Sequence, residues 1–376
     1  MMIGAIIQAS SGSIYVFAVG RMISGIASGA TINVVNVLIS EISPPHLRGT
    51  LTTGIQVFVA LGSLLVTTTH YFVGTAYGWR LLVGFPIAIG VFQLLCSPLM
   101  AQSPMWLIHT GAKDKAAREM ARLYTNCPVE EMMNDMCAVI EEEQAESGAV
   151  SPWVQLFSAK YRVQLIIALV LCSAQQLCGI NAIFYYSSDL FFSAGITDPR
   201  IGNTIVNLVR TSQIILAAFI MDKFRRRSLL MSGLSVVSLA SLIVVISLVI
   251  TSPVLSLLST AVFVGAFCLS IGPMGWMVSA EIFPDFLHAN AGSVGTMATW
   301  ISNMIVGLCY PTIASSFGDW AFMVFFGLNA LFVLFVRFRV PETANKSLDD
   351  IQKEFQQRAA VKNGNVASEE PTGKNV

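Results

Sequence analysis

The chain has 376 residues, of which 54% are hydrophobic and 12% charged, and its mean hydropathy is +0.67. A soluble domain carries roughly a quarter charged residues, so an ordinary soluble fold is excluded. The formal net charge of zero says nothing by itself about partners, and no nucleic-acid partner is expected.

Apolar runs near the ~20 residues needed to cross hydrocarbon recur along the chain. A short first stretch runs from Met1 to about Ala9. Further spans are predicted at Tyr15–Ser40, Thr50–Tyr71, Trp79–Met100, Tyr161–Phe192, Ile201–Met221, Ser228–Ile250, Leu255–Ile282, Ala289–Ala314 and Trp320–Val340. Met1 opens into an apolar stretch without a basic leader region, so no cleavable signal peptide is expected. The polar stretch Gln102–Lys160 contains two segments rich in helix formers, Lys113–Tyr124 and Val129–Glu146, which read as short soluble helices. The tail after Pro341 is polar, and its last fifteen or so residues are expected to be disordered. Cys96, Cys127, Cys137, Cys172, Cys178, Cys268 and Cys309 are scattered without metal-ligand spacing and read as packing residues. No nucleophile–base or metal constellation appears, so neither catalysis, a metal nor a cofactor is expected.

Basic residues set the orientation. If the loops Glu41–Gly49, Gln102–Lys160, Asp222–Arg227 and Pro284–His288 and the tail share one side, that side, counting Arg162, Arg337 and Arg339 at its helix ends, holds every Lys and Arg except Arg21, Arg80, Arg200 and Arg210. Such a bias predicts that this side is cytoplasmic, with a plasma membrane the expected location.

An internal repeat organises the chain. Glu41-Ile42-Ser43-Pro44-Pro45-His46-Leu47-Arg48 recurs as Glu281-Ile282-Phe283-Pro284-Asp285-Phe286-Leu287-His288, 240 positions later, with Glu, Ile, Pro and Leu matched. Both copies join apolar spans, as parallel repeats of a transporter should. By the same offset, roughly eighty residues carrying two spans are expected upstream of Met1. The expected organisation is an all-α membrane protein. Residues 1–101 are the remainder of an N-terminal transmembrane half (helices three to six), 102–160 a cytoplasmic helical loop, 161–340 the C-terminal transmembrane half (helices seven to twelve), and 341–376 a cytoplasmic tail.

Six patches, Gly20-Arg21, Glu41–Gly49, Ser103–Leu107, Gln175–Ser187, Gly272–Pro284 and Pro341–Ile351, together resemble the sugar porter family of the major facilitator superfamily, hexose facilitators and sugar–proton symporters. The resemblance covers Ile3 to Ile351. It implies a major facilitator fold of two six-helix repeats, here without the first two helices. It also implies transport of a monosaccharide, such as a hexose, by alternating access around a midplane site, as facilitator or proton symporter.

The sharpest patch is Gln175-Gln176-x-x-Gly179-x-Asn181-x-x-x-Tyr185-Tyr186. On a regular helix the three amides do not share one stripe, so a break near Gly179 would help them converge. Uncharged amides offer donors and acceptors to hydroxyls without burying a charge. The alternative is that they merely join helices. The resemblance places Tyr185 and Tyr186 at an outer gate, the alternative being an interfacial aromatic belt.

Gly272-Pro273-Met274-Gly275-Trp276 is expected to break the eighth span midway, because Pro273 lacks a backbone donor and the glycines free the chain to bend. Trp276 would present an apolar face to a sugar ring, or simply pack. Gln56, Asn207 and Asn303 match the family's remaining sugar contacts, and each could equally be a structural hydrogen bond. By the same resemblance Glu41, Arg48, Asp222, Arg226, Arg227 and Glu281 form a cytoplasmic salt-bridge latch, unless they are independent solvated charges.

The chain also departs from the family pattern. Arg225 stands for a glycine, His288 for an arginine, Gln102 and Met105 for the Glu and Arg flanking Ser103-Pro104, Ala344-Asn345 for Lys-Gly, and Thr299 for an asparagine before Trp300. A weaker latch and a shifted sugar selectivity are expected. Arg210 lies mid-span, one turn from Asn207 on the same face. The favoured reading has it snorkelling along a cavity wall toward cytoplasmic water. The other reading, an anion-binding residue, keeps open a carrier of a polyol or organic acid. A transporter-like sugar sensor is a further alternative.

Overall fold

The computed structural model describes residues 1–43, 48–73, 78–124, 129, 132–134, 136–138, 151–193, 195, 198–220, 224–343, 346, 350–355 and 357. The principal helices are α1 (Met2–Ser10), α2 (Ile14–Ile42), α3 (Arg48–Val73), α4 (Trp79–Cys96), α5 (Pro104–His109), α6 (Lys113–Leu123), α7 (Pro152–Leu156) and α8 (Arg162–Leu177). They continue as α9 (Ile180–Ser193), α10 (Pro199–Ile220), α11 (Arg226–Val249), α12 (Pro253–Leu269), α13 (Ile271–Glu281), α14 (Asp285–Phe317) and α15 (Met323–Arg339). No strand occurs among the described residues.

Among the described residues every predicted span is helical over most of its length, and local chemistry marks several of the starts. Ser13 caps α2, its hydroxyl accepting from the Tyr15 amide at 3.3 Å. Ser103 caps α5 in the same way through Trp106, at 3.0 Å, with Pro104 as the first helical residue. The first loop helix is present as α6, whereas most of Val129–Glu146 and the last fifteen residues lie outside the described residues. Among the described residues, five stretches are long and apolar enough to cross a membrane: Ile14–Ile39, Trp79–Leu99, Arg162–Ser188, Arg226–Val249 and Pro253–Ser279.

The chain forms two compact units, Met1–Ala149 with Ser187–Phe219, and Val150–Tyr186 with Ile220–Val376. This grouping sets α10 with the first unit, although its place in the sequence repeat is in the second half. The boundary falls at a kink in α9, where Tyr186 has φ −120° and ψ 17°.

In the first unit, α1 packs on α2 and α4, and α3 packs on α2 and α4. Helices α1 and α2 approach closely because a Cβ on Gly4 would stand 2.8 Å from the Gly20 carbonyl, a distance only glycine allows. Gln8 bridges the two helices, its Nε2 donating to the Gly4 carbonyl at 3.1 Å and to Ser24 Oγ at 2.8 Å.

In the second unit, α11 packs against α12 and α15, and α8 against α13 and α14. The tail contributes an element the sequence did not suggest: residues 350–355 are helical, with Ile351 and Phe355 buried. Gln352 Nε2 donates to the Ile282 carbonyl at 3.0 Å, and Gln352 Oε1 accepts from Gln164 Nε2 at 2.9 Å.

Candidate functional site

Two helix breaks in the second unit position its polar groups. Between α8 and α9, Gly179 has φ +102°, and a Cβ there would stand 2.6 Å from the Phe325 ring. Both facts require glycine. The break leaves the Cys178 carbonyl without a helical donor, and Asn329 Nδ2 supplies one at 3.0 Å while also donating to the Phe325 carbonyl at 2.8 Å. Asn329 is fully buried on α15. Sequence reasoning missed it, although a lone amide inside an apolar span was the available signal.

The second break differs from expectation. It falls at Ser270, with φ −125° and ψ −100°, rather than within Gly272–Trp276. Gly233 of α11 makes room for it, since a Cβ there would stand 2.0 Å from the Ser270 side chain. Pro273 sits in the first turn of α13, where a missing N–H breaks no helical hydrogen bond. Gly272 carries the carbonyl that matters next.

Gln175 Nε2 donates to the Gly272 carbonyl, Gln176 Nε2 donates to Gln175 Oε1 at 3.3 Å, and Asn181 Nδ2 donates to Gln176 Oε1. The three expected amides thus form one connected row across the α8–α9 break, anchored at the α12–α13 break. Gln175 is buried, while Gln176 and Asn181 are half-buried. Each amide has a second N–H beyond the bond it donates here. Trp276 stands on α13, 37% exposed. A Cβ on Gly275 beside it would contact the Leu171 carbonyl at 3.4 Å, so α13 lies close on α8 at this level. Thr299, in place of the family's asparagine, is buried and donates to the Gly295 carbonyl at 3.0 Å and the Cys172 carbonyl at 3.4 Å.

The two tyrosines reach α14. Tyr185 donates to Asn303 Oδ1 and Tyr186 to the Gly307 carbonyl, each at 3.0 Å. Tyr186 also lies against the Tyr310 ring, centroids 5.0 Å apart. Asn303 is therefore joined directly to a predicted gate residue.

Gln56 and Asn207 belong to the first unit. Gln56 is exposed on α3. Asn207 accepts at Oδ1 from Ser63 Oγ, 3.1 Å away, and donates through Nδ2 to the Asn203 carbonyl at 2.9 Å. Arg210 Nη1 donates to the same Ser63 Oγ at 3.4 Å. Its head therefore reaches back to the level of Asn207, toward the N-terminal end of α10. Sequence reasoning also missed Ser63.

Within the second unit, Arg226 Nε stands 3.5 Å from Glu281 Oε1. The Arg227 amide donates to Glu342 Oε1 at 3.5 Å, and its guanidinium donates to the Arg337 carbonyl. In the first unit Glu41 Oε2 accepts from Ser103 Oγ. Asp222 and Pro44–Leu47 lie outside the described residues, as does the Arg48 side chain.

The model of the family described as "Sugar (and other) transporter" matches residues 1–355. The chain is 33% identical over 351 residues to solute carrier family 2, facilitated glucose transporter member 2 of Gallus gallus, covering 90% of this chain and 65% of that protein. It is 31% identical over 366 residues to member 3 of Oryctolagus cuniculus, covering 94% and 73%. Plastidic glucose transporter 4 of Arabidopsis thaliana is 30% identical, covering 93% and 65%. The chain thus spans about two thirds of the length of these relatives, which are named as transporters and not as enzymes. Among solved structures, the inward-open xylose transporter XylE from E. coli matches with a TM-score of 0.79 at 23% identity, covering 94% of this chain and 80% of that one. The bromodeoxyglucose-bound form of the same symporter matches with a TM-score of 0.75 at 22% identity, covering 94% and 81%. These likenesses show the fold, that of the major facilitator superfamily.

Proposed function

Because the chain belongs to the sugar (and other) transporter family and is a multi-pass membrane protein, we propose that it moves a monosaccharide, a hexose such as glucose, across a membrane by alternating access. Transport is as a facilitator or a proton symporter. The observation that carries this reading is the Gln175–Gln176–Asn181 row lying across a helix break. It concentrates uncharged donors and acceptors where backbone geometry can change, which suits a ligand of many hydroxyls. Asn303 and Trp276 complete the sugar contacts in the second unit, where Tyr185, Tyr186, Gly272 and Pro273 serve gating; within the first unit, Gln56 and Asn207 are its own candidate sugar-contacting amides. The membrane is the plasma membrane. The loop 102–160 and the tail are cytoplasmic, and Glu41, Arg48, Asp222, Arg226, Arg227 and Glu281 are the charged helix-end groups of that face.

The test is equilibrium binding to the chain in lipid nanodiscs, read by tryptophan fluorescence. Saturable quenching by D-glucose but not L-glucose is expected, with loss of the signal in Trp276→Ala. No saturable response to any neutral monosaccharide would overturn the reading.

A further inference from the structure

We infer that Arg80, with Trp79 and Ser13, forms a binding site for the phosphate of a membrane phospholipid, at the end of the first unit opposite the octad of Glu41. None of these residues belongs to the sugar reading above, so the two can fail separately.

Arg80 is the second residue of α4, at the edge of the candidate span Trp79–Leu99. Helix α2 runs from its cap at Ser13 to the octad at Glu41. Ser13 and Arg80 line one cavity of about 370 Å³ with Ser11, Gly12, Phe17 and Trp79. The cavity therefore sits at the membrane boundary remote from that octad, where phospholipid head groups lie.

The Arg80 head is fixed on two sides. Nη2 donates to the Ser11 carbonyl at 3.1 Å, and the guanidinium carbon stands 4.6 Å from the centre of the Trp79 ring. Phe17 braces that ring edge-on, the centroids 6.0 Å apart. A guanidinium carries five N–H donors, and the Ser11 carbonyl takes one. No ion pair among the described residues involves Arg80. Composition gives the reason: between Met1 and Ala101 the only carboxylate is Glu41. At the helical rise, Glu41 lies about 40 Å along α2 from Ile14. Helices α1 to α4 thus hold no anion within reach of Arg80.

Ser13 adds a second donor. Its oxygen accepts from the Tyr15 amide, and its hydroxyl hydrogen goes to no group among the described residues. A Cβ on Gly12 would meet no atom within 4 Å, so the space beside these donors is open. A phosphodiester fits the set, because its two free oxygens take the planar guanidinium in a two-point pair and still accept from a hydroxyl. The flanks favour a lipid over free phosphate. Ile14 and Leu81 are 77% and 71% exposed and offer apolar surface to acyl chains, while Trp79 is the ring type enriched at head-group level.

The experiment is native mass spectrometry of the chain in detergent, titrated with phosphatidylglycerol, with the chain-matched diacylglycerol, or with inorganic phosphate. Wild-type protein should bind one phosphatidylglycerol about tenfold more tightly than it binds the diacylglycerol, the scale of one charge-assisted hydrogen bond. Inorganic phosphate should bind more weakly than the phospholipid. Arg80→Gln should lose the tenfold preference, and Arg80→Lys should keep part of it. Lys115→Gln, which removes an exposed charge from α6, should bind as wild type does. The two lipids compared on wild-type protein test the phosphate contact even where a variant fails to fold. Equal affinity for both lipids, or a preference that Arg80→Gln leaves intact, would overturn the inference. Inorganic phosphate binding as tightly as phosphatidylglycerol would overturn the assignment to a lipid.

Discussion

Tyr185 on α9 donates its phenolic hydrogen to Asn303 Oδ1 on α14, across 3.0 Å. The bond joins a predicted gate residue to a predicted sugar contact, so one of the two acceptor positions on that oxygen is taken while the tyrosine stays in place. Tyr185 is 54% exposed, and losing its hydroxyl should scarcely affect stability. Tyr185→Phe should instead change hexose affinity by a few-fold, in keeping with one hydrogen bond of about 1 kcal/mol. An unchanged dissociation constant would separate Asn303 from the sugar site.

Gln175 and Trp276 should fail differently. Gln175→Ala deletes the donor to the Gly272 carbonyl as well as a ligand contact, so it should weaken sugar binding by roughly 1–3 kcal/mol and also lower the unfolding temperature. Trp276→Ala removes a partly exposed ring and should weaken binding by a similar amount, about 1–3 kcal/mol, while sparing stability. Thermal melts beside binding isotherms distinguish them. Wild-type affinity in both variants would leave the amide row a purely structural device.

The break at Gly179 should tolerate no side chain. Gly179→Ala meets a left-handed φ costing about 1–2 kcal/mol and a clash with the Phe325 ring on top of it. Adding Phe325→Leu should recover only the steric part. Asn329→Leu should independently cost about 1–3 kcal/mol by stranding the Cys178 carbonyl. Each prediction is checked by denaturation in detergent, and a neutral Gly179→Ala would show that the break is not held there.

The Arg226–Glu281 pair should be a weak tie. Its partners are 3.5 Å apart with side chains 14% and 30% exposed. A double-mutant cycle with Arg226→Gln and Glu281→Gln should give a coupling of about 1 kcal/mol or less. A coupling several-fold larger would mean the pair is a main determinant of the second unit's stability.

Topology gives the last check. Lys113 and Lys353 should react only with reagents admitted to the cytoplasmic side, and Asn345 in Asn345-Lys346-Ser347 should never carry a glycan. Modification of Asn345 would invert the orientation.

What the sequence determined by itself is what periodicity and composition carry: the run of apolar helices, their ends to within a few residues, the repeated octad at Glu41 and Glu281, and a break at Gly179. Those signals are local. A helix boundary or a left-handed glycine is written in its own few residues. Tertiary structure decided the rest, because a hydrogen bond's partner lies anywhere in the chain. Pro273 marked the right span but not the bend, which falls at Ser270 because Gly233 on another helix leaves the space. Asn329 looked like any buried amide until the Cys178 carbonyl, 151 residues away in sequence, proved to need a donor. Arg210 could have pointed either way along its helix. Ser63, whose Oγ accepts from its guanidinium, lies 147 residues earlier, where no local signal in the sequence could point to it.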